Sequence, residues 1–187
     1  MDLREAIYSR RAVRDYTPDP IGRDTVARLT QAAVQAPSAV NEQPWSFAVV
    51  QGRDLLERIS REAKDLVLSA PPARLQGEIL QRLRQPSFNI FYNAPALIVI
   101  CSQTQGPWAI ANCSLAAQNL MLAACAEGLG TCWIGFAEAW LQTPAGKAML
   151  GLPSACLPVA PIIVGHPHTT PPAVSRREPV IHWIGSS

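Results

Sequence analysis

The sequence predicts an α/β or α+β sandwich in one domain spanning residues 1–187, on three observations. Segments with helical apolar spacing alternate with about four short runs rich in β formers or continuously apolar. Apolar residues fill 48% of the positions and charged residues only 16%, which leaves material for a sizeable core and excludes a disordered chain. The charges are also unevenly placed. Residues 1–84 hold 13 of the 16 Lys and Arg and 11 of the 14 Asp and Glu, and between Gln85 and Ala137 the only formal charge is Glu127. Such a stretch is a membrane segment, a buried core or a surface covered by another subunit.

The elements follow in order. Asp2 and Glu5 stand at capping-box spacing and open a helix to Ser9. Val26, Leu29 and Ala33 recur at helical spacing over Asp24 to Ala36, and Pro37 ends that helix. Trp45 to Val50 reads as a strand. Asp54 opens an amphipathic helix bearing Leu55, Ile59, Ala63 and Leu66, broken at Pro71-Pro72. A shorter helix through Leu75, Ile79 and Leu83 follows. Ala96 to Cys101 has the pattern of a strand buried on both faces. Asn112 to Ala126 is a helix small or apolar almost all round, which predicts burial, and Gly128 and Gly130 suit a left-handed cap after it. Thr131 to Phe136 reads as a strand. Thr143-Pro144 reads as an N-cap with proline at the first helical position, closed at Gly151-Leu152-Pro153. Val159 to Val164 is the last strand.

Several function classes drop out. A spanning helix needs about 20 mostly apolar residues, whereas amides and prolines interrupt the charge-poor stretch. The N-terminus carries charges where a signal peptide needs its apolar region, which predicts a cytoplasmic protein with no membrane contact. A net charge of +2 gives no argument for nucleic acid. Cys101, Cys113, Cys125, Cys132 and Cys156 are odd in number and never spaced C-x-x-C, so they read as reduced thiols without zinc or iron–sulfur. His166 and His168 form an H-x-H with no carboxylate pattern, and His182 stands alone; no metal site is expected. No G-x-S-x-G is present, and Cys132 has no evident catalytic partner.

Four segments carry chemistry. Arg10, Arg11 and Arg14 place three guanidiniums within five residues, suited to phosphate or conjugated carbonyl oxygens; alone, they are also a solvated basic face. The segment Ala36 to Trp45 brings Ser38, Asn41 and Gln43 into a proline-bracketed loop, where amides can meet a heterocycle edge or form an ordinary polar turn. The glycines of GLGTCWIGF permit close approach of a flat ligand, while their spacing fails as a dinucleotide fingerprint. Arg176 and Arg177, after a proline-rich loop, either complete an anion site or belong to a basic tail.

In order, RRAVRDY, APSAVNEQPWSF, APALIVI, GLGTCWIGF, IIVGHP and RREPVIHW resemble the nitroreductase family of FMN-dependent oxidoreductases, from about residue 4 to 184. The resemblance implies an α+β three-layer sandwich with a mixed, mainly antiparallel sheet of about four to five strands flanked by helices. It also implies an intertwined homodimer with FMN at the subunit interface. Carried over by position, Arg10, Arg11, Ala12 and Arg14 would contact FMN, the first two at its phosphate and polar edge. Pro37, Ser38, Ala39, Asn41 and Gln43 would reach it from the partner subunit. Ile134 and Gly135 would pack on the ring, and Arg176, with Arg177, would hold the phosphate. The segment around Asn89 falls where the family often places another flavin contact. Ala12 stands where the family often has Ser, so a contact there comes from the backbone. The short region 103–112 has no insertion to wall off a substrate pocket.

The implied reaction takes hydride from NADH or NADPH to the flavin N5 and passes it to a nitroaromatic, quinone or similar small acceptor at the same place. FMN carries the chemistry, and the protein supplies placement and charge, so no catalytic acid or base is expected. A flavin-binding carrier or sensor without turnover is the alternative, and an interaction module without cofactor would leave the arginine and amide clusters as surface.

Overall fold

Four strands, β1 (Trp45–Gln51), β2 (Ala96–Ser102), β3 (Gly130–Trp133) and β4 (Leu157–Gly165), form one antiparallel sheet in the order β1-β2-β4-β3. The computed structural model describes residues 1–73 and 75–185. Seven described helices accompany the sheet: α1 (Leu3–Ser9), α2 (Arg23–Ala33), α3 (Arg53–Ser69), α4 (Gly77–Arg84), α5 (Ala109–Ala126), α6 (Gly135–Leu141) and α7 (Pro144–Met149). Successive strand residues point to opposite faces, and β2 shows the result. Leu97, Val99 and Cys101 join a core with α3, α4 and α6, while Ala96, Ile98 and Ile100 join a second core with α2 and α5. Three layers follow, as expected for an α+β sandwich, and every residue of β2 is buried.

Two prolines sit in the central strand β4 without breaking it. Pro161 lies where β3 leaves the sheet: the last β3 pair is Trp133 with Ile162, and the next amide, that of Ile134, donates to the Pro161 carbonyl at 2.8 Å. The missing N–H of Pro161 therefore costs no ladder bond on that side. A bulge opposite Ile100 and Cys101 puts both Val159 and Ala160 into the second core.

The structure corrects three expectations. The strand read over Thr131 to Phe136 ends at Trp133, and α6 begins at Gly135, because the chain turns away from β4 at Ile134, opposite Pro161, which has no N–H to extend the ladder. The buried stripe of α3 runs through Leu56, Ile59, Ser60, Ala63 and Lys64, leaving Leu55 and Leu66 exposed. Lys64 is buried because its Nζ donates to the carbonyls of Gln85 and Phe88, an anchor that a hydropathy pattern does not show. Finally, α5 is not buried all round. By length and composition it could cross a bilayer, but its inner face packs on the sheet and α2. Its outer face leaves Ile110 and Leu115 exposed, with Trp108 just before it.

The arginine segment is fixed to this frame. Ala12 bridges Thr131 in parallel, the Val13 amide donates to the Thr131 carbonyl at 3.0 Å, and the Thr17 amide donates to His166 at 2.9 Å. The buried Tyr16 hydroxyl closes the turn by donating to the Val13 carbonyl at 2.7 Å. At Gly130 there is no room for more: an added Cβ would stand 2.8 Å from Val13. Gly128, at φ +75°, supplies the left-handed cap of α5, with the Leu129 amide returning to Ala124. Gly130 takes no part in that cap; its role is close contact.

Candidate cofactor site

The segment from Arg10 to Arg14 places its three guanidiniums differently. Arg11 turns back on α1, its Nη1 donating to the carbonyls of Tyr8 and Arg10 at 2.7 and 2.9 Å, while its Nε is buried without a partner. Arg10 and Arg11 border a hollow of about 180 Å³ with Gly130, Thr131 and Pro167. Arg14 reaches the neighbouring cleft. Among the described residues the ion pairs are Arg28–Glu127 and Arg53–Glu57, so none of the three has a carboxylate partner.

The cleft measures about 380 Å³, within the usual size of small-molecule sites. Arg14, Ile134 and Gly135 line it together with Tyr92, Trp133 and Phe136. A Cβ added to Gly135 would meet nothing within 4 Å, so this glycine faces open space. Trp133 is held by its Nε1, which donates to Glu138 at 3.3 Å. Asn89 does not line the cleft: its carboxamide oxygen accepts from the Phe91 amide at 2.8 Å, and Ile90 and Tyr92 line it instead. Tyr92 and Asn93 both take positive φ, +52° and +57°. For a bulky aromatic this region costs of order 1–3 kcal/mol, held against by its surroundings. Sequence reasoning missed Tyr92, since nothing in NIFYNAP signals a left-handed tyrosine.

The loop between α2 and β1 belongs to the other face of the sheet. None of Pro37, Ser38, Ala39, Asn41 and Gln43 lines the cleft. A 3-10 turn (Ala39–Asn41) carries the loop outward, with Val40, Asn41 and Gln43 at positive φ and Val40 98% exposed. Ser38 Oγ accepts from the Gln43 amide at 2.9 Å, and Gln43 Nε2 donates to Asn41 Oδ1 at 2.9 Å. Asn112 on α5 ties the loop down. Its Oδ1 accepts from the Ala39 amide at 3.0 Å, and its Nδ2 donates to Glu42 at 3.2 Å. Only the buried amide in an apolar helix could have signalled this role. Asn112→Ala leaves the Ala39 amide unpaired, and we expect a loss of about 1–3 kcal/mol by urea denaturation, with earlier proteolysis of the loop than of the core.

Arg176 and Arg177 lie on an exposed segment without regular structure and touch neither the cleft nor the hollow. One chain thus brings together Arg14, Ile134 and Gly135, with Arg10, Arg11 and the Ala12 backbone on the adjoining segment. The loop and the C-terminal arginines stand apart.

Three of the thiols are held above the ordinary range. Burial raises Cys132 in the cleft above the ordinary thiol value, opposed in part by the guanidiniums of Arg14 and Arg10. Burial likewise raises Cys113 to about 12 and pushes Cys101 up. No group of three or more His, Cys, Asp or Glu among the described residues is placed to hold a metal ion.

The site is thus an α+β sandwich with Arg14 at an aromatic-lined cleft and Arg10 and Arg11 at the neighbouring hollow, none of the three paired with a carboxylate among the described residues. Comparison with known proteins sharpens the class: the model described as "Nitroreductase family" matches residues 7–166, and the chain belongs to that family of enzymes. A protein of Methanothermobacter thermautotrophicus, provisionally assigned as an NADH dehydrogenase/NAD(P)H nitroreductase, is 30% identical over 91% of this chain and 80% of its own length. The nitrobenzene nitroreductase of Ectopseudomonas oleovorans is 27% identical over 87% of this chain and 86% of its own. Among solved structures, the FMN-bound nitroreductase of Bacteroides fragilis has a TM-score of 0.86 at 23% identity, covering 99% of this chain and 100% of its own, which establishes the shared fold.

Proposed function

We propose that the protein is an FMN-dependent oxidoreductase that takes hydride from NADH or NADPH and delivers it to a nitroaromatic, quinone or similar small acceptor. The observation that carries this reading is the pinned arginine segment, unpaired with carboxylates, beside a cleft into which Gly135 presents no side chain. Relatives named as nitroreductases and neighbours with bound FMN support it.

The residues present fit FMN. Arg10 and Arg11, the latter with a buried Nε without a partner, suit the phosphate and polar edge. Arg14 puts a positive charge where the ring would lie, and Ile134 and Gly135 give the ring a flat contact. When bound, FMN would supply the hydride chemistry, and the chain would orient it and offset its negative charge.

The loop contacts come from a second copy in a homodimer. Pro37, Ser38, Ala39, Asn41 and Gln43 would enter from the partner, and Arg176 with Arg177 would close on the phosphate. Apolar side chains left uncovered support this assembly: Ile110 and Leu115 on α5, and Val180, Trp183 and Ile184 on the C-terminal segment. We place the protein in the cytoplasm.

Titrating the flavin-free protein with FMN, then adding NADH or NADPH without oxygen, tests the reading. Flavin binding followed by bleaching is expected. Binding without bleaching by either nucleotide would favour the carrier, and failure to bind FMN would overturn both. Arg10→Ala should weaken FMN binding about 10- to 100-fold, the value of a hydrogen bond to a charged group; unchanged affinity would remove Arg10 from the site.

A further inference from the structure

Tyr92 lines the cleft beside Gly135 and has no part in the reading above. Its ring stands among two cations and a second ring. The guanidiniums of Arg14 and Arg82 lie 5.9 and 5.7 Å from its centroid, and Phe88 meets it edge-on at 5.6 Å. Arg82 also lies 4.7 Å over Phe88. Neither guanidinium has a carboxylate partner among the described residues. The Tyr92 backbone is held at φ +52°, a region a bulky aromatic enters only when its surroundings impose it. The imposed backbone delivers one result: an aromatic ring beside Arg14.

A guanidinium on a long side chain samples many rotamers in water, and the electron-rich face of a tyrosine restricts it. We propose that Tyr92 is a positioning residue whose ring fixes the Arg14 guanidinium at the cleft, with Phe88 and Arg82 holding that ring in place. The inference rests on the FMN reading and extends it. A cation fixed in advance favours the anionic ring of the reduced flavin over the neutral ring of the oxidised one more than a mobile cation does. Tyr92 thereby raises the potential of the bound flavin through Arg14.

The test compares Tyr92→Phe, which keeps the ring, with Tyr92→Leu, which removes it, and each with Arg14→Ala and the double variant. FMN affinity is read by fluorescence titration, the midpoint potential by equilibration with a reference dye, and folding by thermal melting. Tyr92→Phe should retain the parent potential. Tyr92→Leu should lower the preference for reduced over oxidised FMN three- to tenfold, a fall of up to about 30 mV for a two-electron couple. In the Arg14→Ala background Tyr92→Leu should change nothing further. Should Tyr92→Leu fail to fold, Tyr92→Met provides the same comparison.

A parent potential in Tyr92→Leu would overturn the proposal, and so would an equal fall with and without Arg14. Failure of the parent protein to bind FMN would instead overturn the function itself.

Discussion

Gly130→Ala should both destabilise the protein and strip its cofactor affinity, although residue 130 does not border the cleft. A Cβ there stands 2.8 Å from Val13 Cβ, Cγ1 and Cγ2. The Val13 Cβ is fixed to the backbone, so no rotamer change relieves the contact. Relief comes only by moving residues 12–14 away from β3, which stretches the Val13-to-Thr131 hydrogen bond and the Ala12 bridge. Overpacking costs about 1–3 kcal/mol and a lost hydrogen bond about 1 more, so a fall of about 2–4 kcal/mol is expected in urea denaturation. Arg10 and Arg14 ride on the displaced segment, and FMN binding should weaken at least tenfold. Gly135→Ala is the contrast: its Cβ meets nothing and its backbone is helical, so stability should hold. Equal urea midpoints for Gly130→Ala and the parent would show that the segment is not held by this contact.

The glycines of GLGTCWIGF read as room for a ligand, but Gly128 caps a helix, Gly130 admits Val13 and only Gly135 opens on the cleft. A glycine states that space is needed without saying for what. The continuous apolar run of β2 was legible because burial on both faces leaves no polar position. The phase of α3 was not: Leu55 and Leu56 are adjacent, and the choice between them is made by the sheet, with Lys64 hidden by carbonyls more than 20 residues away. The arginines of the site were legible as a charge cluster, whereas Asn112 and Tyr92 act through contacts that exist only after folding.

Removing the chain beyond Pro172 should convert the proposed homodimer into a folded monomer without FMN. The segment carries Val174, Val180, Ile181, Trp183 and Ile184, each more than half exposed in one chain. It therefore contributes little to the core of its own subunit, and the melting of the core should survive its loss. Its apolar side chains are free to be covered by the proposed partner, and a tryptophan at such a contact commonly dominates the affinity. We expect association weakened at least a hundredfold, about 3 kcal/mol, read by sedimentation at several concentrations. Cofactor loss alone would be ambiguous, since the truncation also removes Arg176 and Arg177. Arg176→Ala separates the two: it keeps the apolar arm, so the dimer should persist while FMN affinity falls. A truncated chain that sediments as the parent does would place the dimer contact elsewhere, on the outer face of α5. A parent protein that is itself monomeric would remove the partner loop from the site and leave Arg10, Arg14 and Gly135 to bind the cofactor alone.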